Sequence, residues 1–170
     1  ALSVTLIQEG SPVADRVVGL HFFNPVPLMP LVEVIPGEQT SPETVGKALA
    51  LARKLGKYPV IAKDSPGFLV NRVLTPYLLA ASRLLLNGVP GAHIDEVARR
   101  HGLPMGPFRL MDEVGLDVGV EVQQTLHSAF GNRYQASHLL SDMVQRGWLG
   151  KKSGVGFYRH RGSQASWNDE

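Results

Sequence analysis

The sequence predicts a mainly α protein with a small α/β portion at its start. Three short runs rich in apolar and β-branched residues fall within the first 62 positions, and from residue 66 onward apolar residues recur every three or four positions. A chain of 170 residues can bury one respectable core, or one domain plus a remnant of another. With 44% hydrophobic and 19% charged residues it has an ordinary folding composition. The formal net charge of +2 leaves no electrostatic footprint for neutralising several phosphates, so a nucleic-acid partner is not expected. Without cysteine there is neither a disulfide framework nor a thiolate metal site, which fits a reducing compartment and makes the cytoplasm the expected location. No apolar run reaches the roughly 20 residues that span a bilayer, and Ala1-Leu2-Ser3-Val4-Thr5 has no charged segment leading into an apolar one. That start reads as the interior of a longer chain.

Taken in order, residues 2–8 satisfy neither the helical nor the strand period, since Leu2, Val4, Leu6 and Ile7 suit both. Val17–Phe23 and Leu31–Ile35 read as two strands, broken apart by Asn24-Pro25-Val26-Pro27 and Pro30. Ser41 caps and Pro42 opens a helix carrying Val45, Ala48, Leu49, Ala52 and Leu55, ended by Gly56. Tyr58–Ala62 is a third strand. Pro66 then opens a long helix through Leu69, Val73, Tyr77, Ala80 and Leu84 to Gly88, with Pro76 expected to kink it. Everything after that reads as helical: Ala92–Arg100, a helix from Pro107, Leu116–Phe130 and Ser137–Arg146. Residues 161–170 are polar and aperiodic, which predicts a linker or tail. The expected division is 1–36, 37–160 and 161–170, with the boundary near Pro36-Gly37.

The chemistry is concentrated in Gly19-Leu20-His21-Phe22-Phe23-Asn24-Pro25 and Pro30-Leu31-Val32-Glu33-Val34-Ile35. An imidazole is suited to take a proton from an alcohol, and a carboxylate on its other nitrogen fixes the tautomer and stabilises the imidazolium that forms. If the two strands pair antiparallel about Pro27, His21 and Glu33 lie opposite each other. On spacing alone, a purely structural hydrogen-bonded pair explains them equally well.

The run Gly19–Pro25, followed at this interval by Leu31–Ile35, resembles the signature around the catalytic histidine and glutamate of the L-3-hydroxyacyl-CoA dehydrogenase family. Further similarities are Asp64-Ser65-Pro66-Gly67-Phe68-Leu69-Val70-Asn71-Arg72, Gly106-Pro107-Phe108, Asp112-Glu113-Val114-Gly115-Leu116-Asp117 and Gly150-Lys151-Lys152-Ser153-Gly154-Val155-Gly156-Phe157-Tyr158. They cover about residues 1–159, and Asp112–Gly119 looks closer to the multifunctional fatty-acid oxidation α subunits than to the short enzymes.

The resemblance implies the end of a Rossmann-type NAD-binding domain followed by a helical substrate and dimerisation domain. It implies oxidation of L-3-hydroxyacyl-CoA to 3-ketoacyl-CoA with NAD in β-oxidation, His21 acting as general base and Glu33 as its orienting partner. By the same resemblance Asn24 and Lys152 meet the cofactor and Asn71 the acyl-CoA substrate. It also implies a homodimer through the helical domain and, for a multifunctional parent, a thiolase subunit as partner.

Plainer readings stand beside these: Asn24 as a turn residue before Pro25, Asn71 as a water-facing helical amide, Lys151-Lys152 as a solvated loop. His127 and His138 have no ligand partner at useful spacing, so no metal site is expected. The sequence departs from the family's pattern in having no Gly-x-Gly-x-x-Gly, and the family's substrate-side serine aligns just before Ala1. This chain by itself is therefore expected to be inactive and to bind NAD poorly. The rival expectations are a non-catalytic structural or dimerisation module on the same scaffold, or a related hydroxyacid dehydrogenase. Intact His21, Glu33 and Asn71 count against the first.

Overall fold

The computed structural model describes residues 2–135 and 137–170. Its described residues form two compact units, Ala1–Arg72 and Val73–Glu170, each with its own core.

In the first unit, the segment that fitted both periods is helical: α1 spans Val4–Glu9, with Ser3 Oγ accepting the Leu6 N–H as N-cap. Strands β1 (Val18–Phe22), β2 (Leu31–Pro36) and β3 (Tyr58–Ile61) form one sheet in the order β1-β2-β3, and helix α2 (Pro42–Lys54) connects β2 to β3. β1 runs antiparallel to β2 with His21 opposite Glu33, the register expected from the two strands. β3 runs parallel to β2, so α2 is the crossover of a βαβ unit. The central strand is the driest, with Val32, Glu33, Val34 and Ile35 buried, and Val4, Ile35, Ala62 and Phe68 form the core.

The expected boundary at Pro36-Gly37 therefore falls inside this unit. β2 has two hydrogen-bonding edges, and β3 fills the second, which binds residues 37–61 to the same sheet.

The second unit is built from α3 (Val70–Leu86), whose first residues belong to the first unit, and from α4 (Gly91–Arg100), α5 (Pro107–Val114), α6 (Leu116–Phe130) and α7 (Leu139–Gln145). Its core gathers Ala81, Phe108, Met111, Leu116, Leu140, Met143 and Phe157.

Three expectations fail here. The long helix does not open at Pro66: residues 66–69 form a turn, with Gly67 at φ 74° and Phe68 at φ 45°, so helical geometry starts only at Val70. Nor is the chain end a tail or the region wholly helical. Strand β4 (Tyr158–Arg161) pairs antiparallel with β5 (Gln164–Trp167). Trp167 packs on Phe108, Phe157 and Tyr158 with ring centroids 5.6, 6.2 and 5.2 Å away. Buried Asn168 donates its backbone N–H to the Phe157 carbonyl and its side-chain amide to that of Gly156. One large aromatic and one satisfied amide hold an otherwise polar segment.

Candidate active site

The edge-to-centre pairing of β1 with β2 sets the site. His21 Nδ1 lies 2.6 Å from Glu33 Oε2; the imidazole keeps about a third of its side-chain surface exposed, while the carboxylate is fully buried. The other carboxylate oxygen is also occupied. Glu33 Oε1 accepts the backbone N–H groups of Leu69 at 2.8 Å and Val70 at 2.9 Å, which are among the orphan donors at the start of α3. A carboxylate suits that position, because unpaired N–H groups and the helix dipole give a helix start partial positive charge. The 66–69 turn aims these amides at the sheet.

The ring of His21 is further bounded by Phe23, edge-on at 4.8 Å, and by Phe68, tilted at 5.5 Å. Phe68 takes up its position through the left-handed backbone of the same turn. With Nδ1 turned to a buried carboxylate, the proton of a neutral imidazole is placed on Nδ1, and Nε2 carries the free lone pair. The arrangement can take a proton at Nε2 and stabilise the resulting cation through Glu33.

Of the other expected site residues, Asn24 is exposed in the β1–β2 loop and Asn71 is half-buried as the second residue of α3. His21, Glu33, Asn24 and Asn71 all belong to the first unit; Lys152 belongs to the second. There, on an exposed loop, its ammonium pairs with Asp117 at 2.5 and 2.6 Å from the two carboxylate oxygens.

That contact is part of a wider association between two motifs far apart in sequence. Buried Asp112 accepts the N–H groups of Phe157 and Tyr158 at 2.9 and 2.8 Å and meets His160 Nε2 at 2.8 Å, while Glu113 pairs with Lys151 at 2.8 Å. A Cβ at Gly156 would collide with Asp112 Oδ1, so a glycine is required where the closing segment passes over α5. These two motifs serve first as each other's structural partners.

Sequence reasoning missed the α3 amides on Glu33, because Ser65-Pro66 looked like a helix opening. The signal available was Gly67, which permits a turn before the helix.

The residues match two family models: the NAD-binding domain of 3-hydroxyacyl-CoA dehydrogenase over residues 1–65 and the C-terminal domain of 3-hydroxyacyl-CoA dehydrogenase over residues 67–160. Among curated proteins, the chain is 45% identical over 161 residues to the fatty acid oxidation complex subunit alpha of Psychrobacter cryohalolentis, covering 94% of this chain and 22% of that one. It is 42% identical over 164 residues to the corresponding subunit of Vibrio parahaemolyticus, covering 96% and 23%. Among solved structures, (S)-3-hydroxybutyryl-CoA dehydrogenase PaaH1 from Ralstonia eutropha is similar with a TM-score of 0.89 and 41% identity, covering 95% of this chain and 58% of that one. The 3-hydroxybutyryl-CoA dehydrogenase from Escherichia coli gives a TM-score of 0.88 and 40% identity, covering 98% and 36%.

A Rossmann-type fragment that carries a His–Glu pair on its sheet and leads into a helical domain is the make-up of a hydroxyacyl dehydrogenase. The chain belongs to the 3-hydroxyacyl-CoA dehydrogenase family. It spans between a fifth and a quarter of the length of the curated relatives it matches.

The family's NAD needs a turn whose free amides cradle the pyrophosphate. The turn between β2 and α2 does not fit it. Its amides are taken: Gly37 N–H by Thr40 Oγ1 at 2.8 Å, Glu38 N–H by Thr5 Oγ1 at 3.2 Å and Gln39 N–H by Gln8 Oε1 at 3.1 Å. The buried Gln8 side chain also fills the space over Gly37.

Proposed function

We propose that this chain carries the proton-transfer centre of an NAD-dependent dehydrogenase that converts L-3-hydroxyacyl-CoA to 3-ketoacyl-CoA in fatty-acid β-oxidation. The observation that carries the reading is the 2.6 Å contact of His21 Nδ1 with buried Glu33, which leaves Nε2 free as general base. His21 takes the C3 hydroxyl proton at Nε2. Glu33 holds the ring and offsets the charge that develops on it. Asn71 contacts the acyl-CoA; Asn24 and Lys152 are cofactor-side residues, Lys152 by exchanging its pairing with Asp117. NAD is the hydride acceptor of this chemistry, and the chain's own residues supply the proton path and substrate contact rather than the pyrophosphate cradle. Isolated, the 170-residue chain is inactive and binds NAD weakly; calorimetry showing a micromolar dissociation constant, about −8 kcal/mol, would contradict this.

The complete protein on this reading is a multifunctional α subunit of a cytoplasmic complex with a thiolase subunit. The name shared by these relatives, fatty acid oxidation complex subunit alpha, supports it. No described helix is long and apolar enough to cross a membrane. Homodimerisation through the helical unit is supported by exposed apolar residues there, among them Val73, Leu84, Val114 and Val118. A strictly monomeric sedimentation profile at high concentration would remove that part.

The decisive experiment is His21→Gln in the complete enzyme. Turnover should fall by about the 10²–10⁴-fold of a lost general base, with acyl-CoA affinity retained. Unchanged single-turnover rates would sink the assignment.

A further inference from the structure

We propose that Lys57 is a positioning residue for the catalytic histidine, clamping the β1–β2 loop and, through Phe23, the imidazole of His21. The proposal rests on the reading of His21 as general base.

Lys57 is launched from a fixed point. Gly56, at φ 72°, ends α2, with its N–H on the Arg53 carbonyl and the Lys57 N–H on that of Ala52, both at 2.9 Å. That pair of bonds is a Schellman motif, which fixes the chain direction leaving a helix. The next residue enters β3 with the Tyr58 N–H on the Pro30 carbonyl at 2.7 Å. Backbone order on both sides confines where the side chain can reach.

It reaches the loop. Lys57 Nζ donates to the Val26 carbonyl at 2.6 Å and the Met29 carbonyl at 2.8 Å. No carboxylate among the described residues pairs with this ammonium within 4.0 Å, so its charge is directed at two carbonyls of one turn. Hydrogen bonds from a charged donor are about twice as strong as neutral ones.

Little else secures that loop. Leu28 and Met29 N–H both fold back on the Pro25 carbonyl at 3.0 Å, a bond internal to the turn. Its apolar side chains do not bury: Val26 is 41% exposed, Leu28 79% and Met29 37%. Apart from the Tyr58 N–H bond to Pro30 at the loop's end, the Lys57 bonds are the polar ties among the described residues that join its middle to the βαβ unit. The loop begins directly after Phe23, whose ring abuts His21 at 4.8 Å. Glu33 fixes Nδ1 but permits the ring to swing about that bond; Phe23 limits the swing, and the loop sets Phe23.

The test uses the complete dehydrogenase carrying this chain, with Lys57→Met, which keeps the apolar stem without donors, and Lys57→Arg, which keeps the charge. Millisecond hydrogen exchange at the Leu28 and Met29 amides should accelerate about tenfold in Lys57→Met and much less in Lys57→Arg. kcat should fall about tenfold in Lys57→Met, since small misplacements of reacting groups cost up to about 10²-fold. KM for acyl-CoA should stay within about twofold, because Asn71 sits on α3 and not on the loop. Lys57→Arg should restore most of kcat. Unchanged exchange in Lys57→Met overturns the clamp. Faster exchange with unchanged kcat, or a kcat that falls only with the folded fraction, overturns the positioning role. If the parent protein shows no hydroxyacyl-CoA oxidation while exchange still responds to Lys57→Met, the general-base reading fails and the clamp stands.

Discussion

Val70 donates its backbone N–H to Glu33 Oε1 at 2.9 Å, so the carboxylate that orients His21 also marks where α3 begins. The same side chain holds the imidazole through one oxygen and the helix bearing Asn71 through the other.

Glu33→Gln and Glu33→Ala should therefore separate the two duties. The amide retains an oxygen for Leu69 and Val70 but turns an N–H toward His21 Nδ1, forcing the wrong tautomer. Turnover should fall by about 10²–10⁴-fold with only a small change in unfolding. The alanine variant orphans two backbone donors as well and should lose about 1–3 kcal/mol more of stability. Equal denaturant midpoints for the two variants would show that the α3 contact carries no weight.

Asp112→Ala should loosen the second unit by about 3–5 kcal/mol, because it strips the Phe157 and Tyr158 amides and the buried His160 ring of one shared partner. Denaturant unfolding measures this directly. A loss below about 1 kcal/mol would mean that water takes over those bonds.

Tyr77 makes the opposite case. Its hydroxyl is buried with no hydrogen-bond partner among the described residues, and burial, with Asp95 as the second cause, pushes its pKa up. Tyr77→Phe should leave stability within about 0.5 kcal/mol or improve it. A clear loss in thermal unfolding would reveal a partner for the hydroxyl.

The acid limb of stability should depend on Asp64. Burial alone would raise its pKa, but the bonds from the Thr5 N–H and the Ser3 hydroxyl overcome burial and hold it below the ordinary carboxyl value. A depressed folded pKa contributes stability that is present above the unfolded value of about 3.9 and lost as pH falls through the lower folded value. Asp64→Asn should flatten the unfolding curve in that acid window and not near neutrality. Asp95 has the opposite sign: burial raises its pKa despite bonds from Phe108, Tyr158 and Arg109. Its contribution is full below the unfolded value and is lost as pH rises through the raised one. An unchanged acid midpoint in Asp64→Asn would count against the first assignment.

What could be read from sequence was local or periodic. The opposition of His21 and Glu33 followed from two short strands about Pro27, since register needs only counting. Ser41 and Pro42 announced α2 because cap and first-turn residues act on their own helix. What escaped depended on distance along the chain. The β4–β5 hairpin has almost no apolar alternation, and Trp167 packs not only on nearby Phe157 and Tyr158 but on Phe108, 59 residues earlier by number. Lys152 is exposed, but its pairing with Asp117 escaped because that partner lies 35 residues away. The start of α3 was misplaced by four residues because what anchors it is Glu33, on another element.

That last feature recurs. Thr5 in α1 donates to Asp64 across 59 residues, Leu69 to Glu33 across 36, and Phe108 in α5 to Asp95 across 13. A helix whose opening amides depend on a remote acid cannot complete its first turn until the surrounding chain has closed around it. Cut out as peptides, α3 and α5 would fray from their leading ends, whereas in the folded chain each start is released only when its unit opens. Secondary structure here is locked by tertiary contacts, and the helices should melt in concert with their unit rather than one at a time.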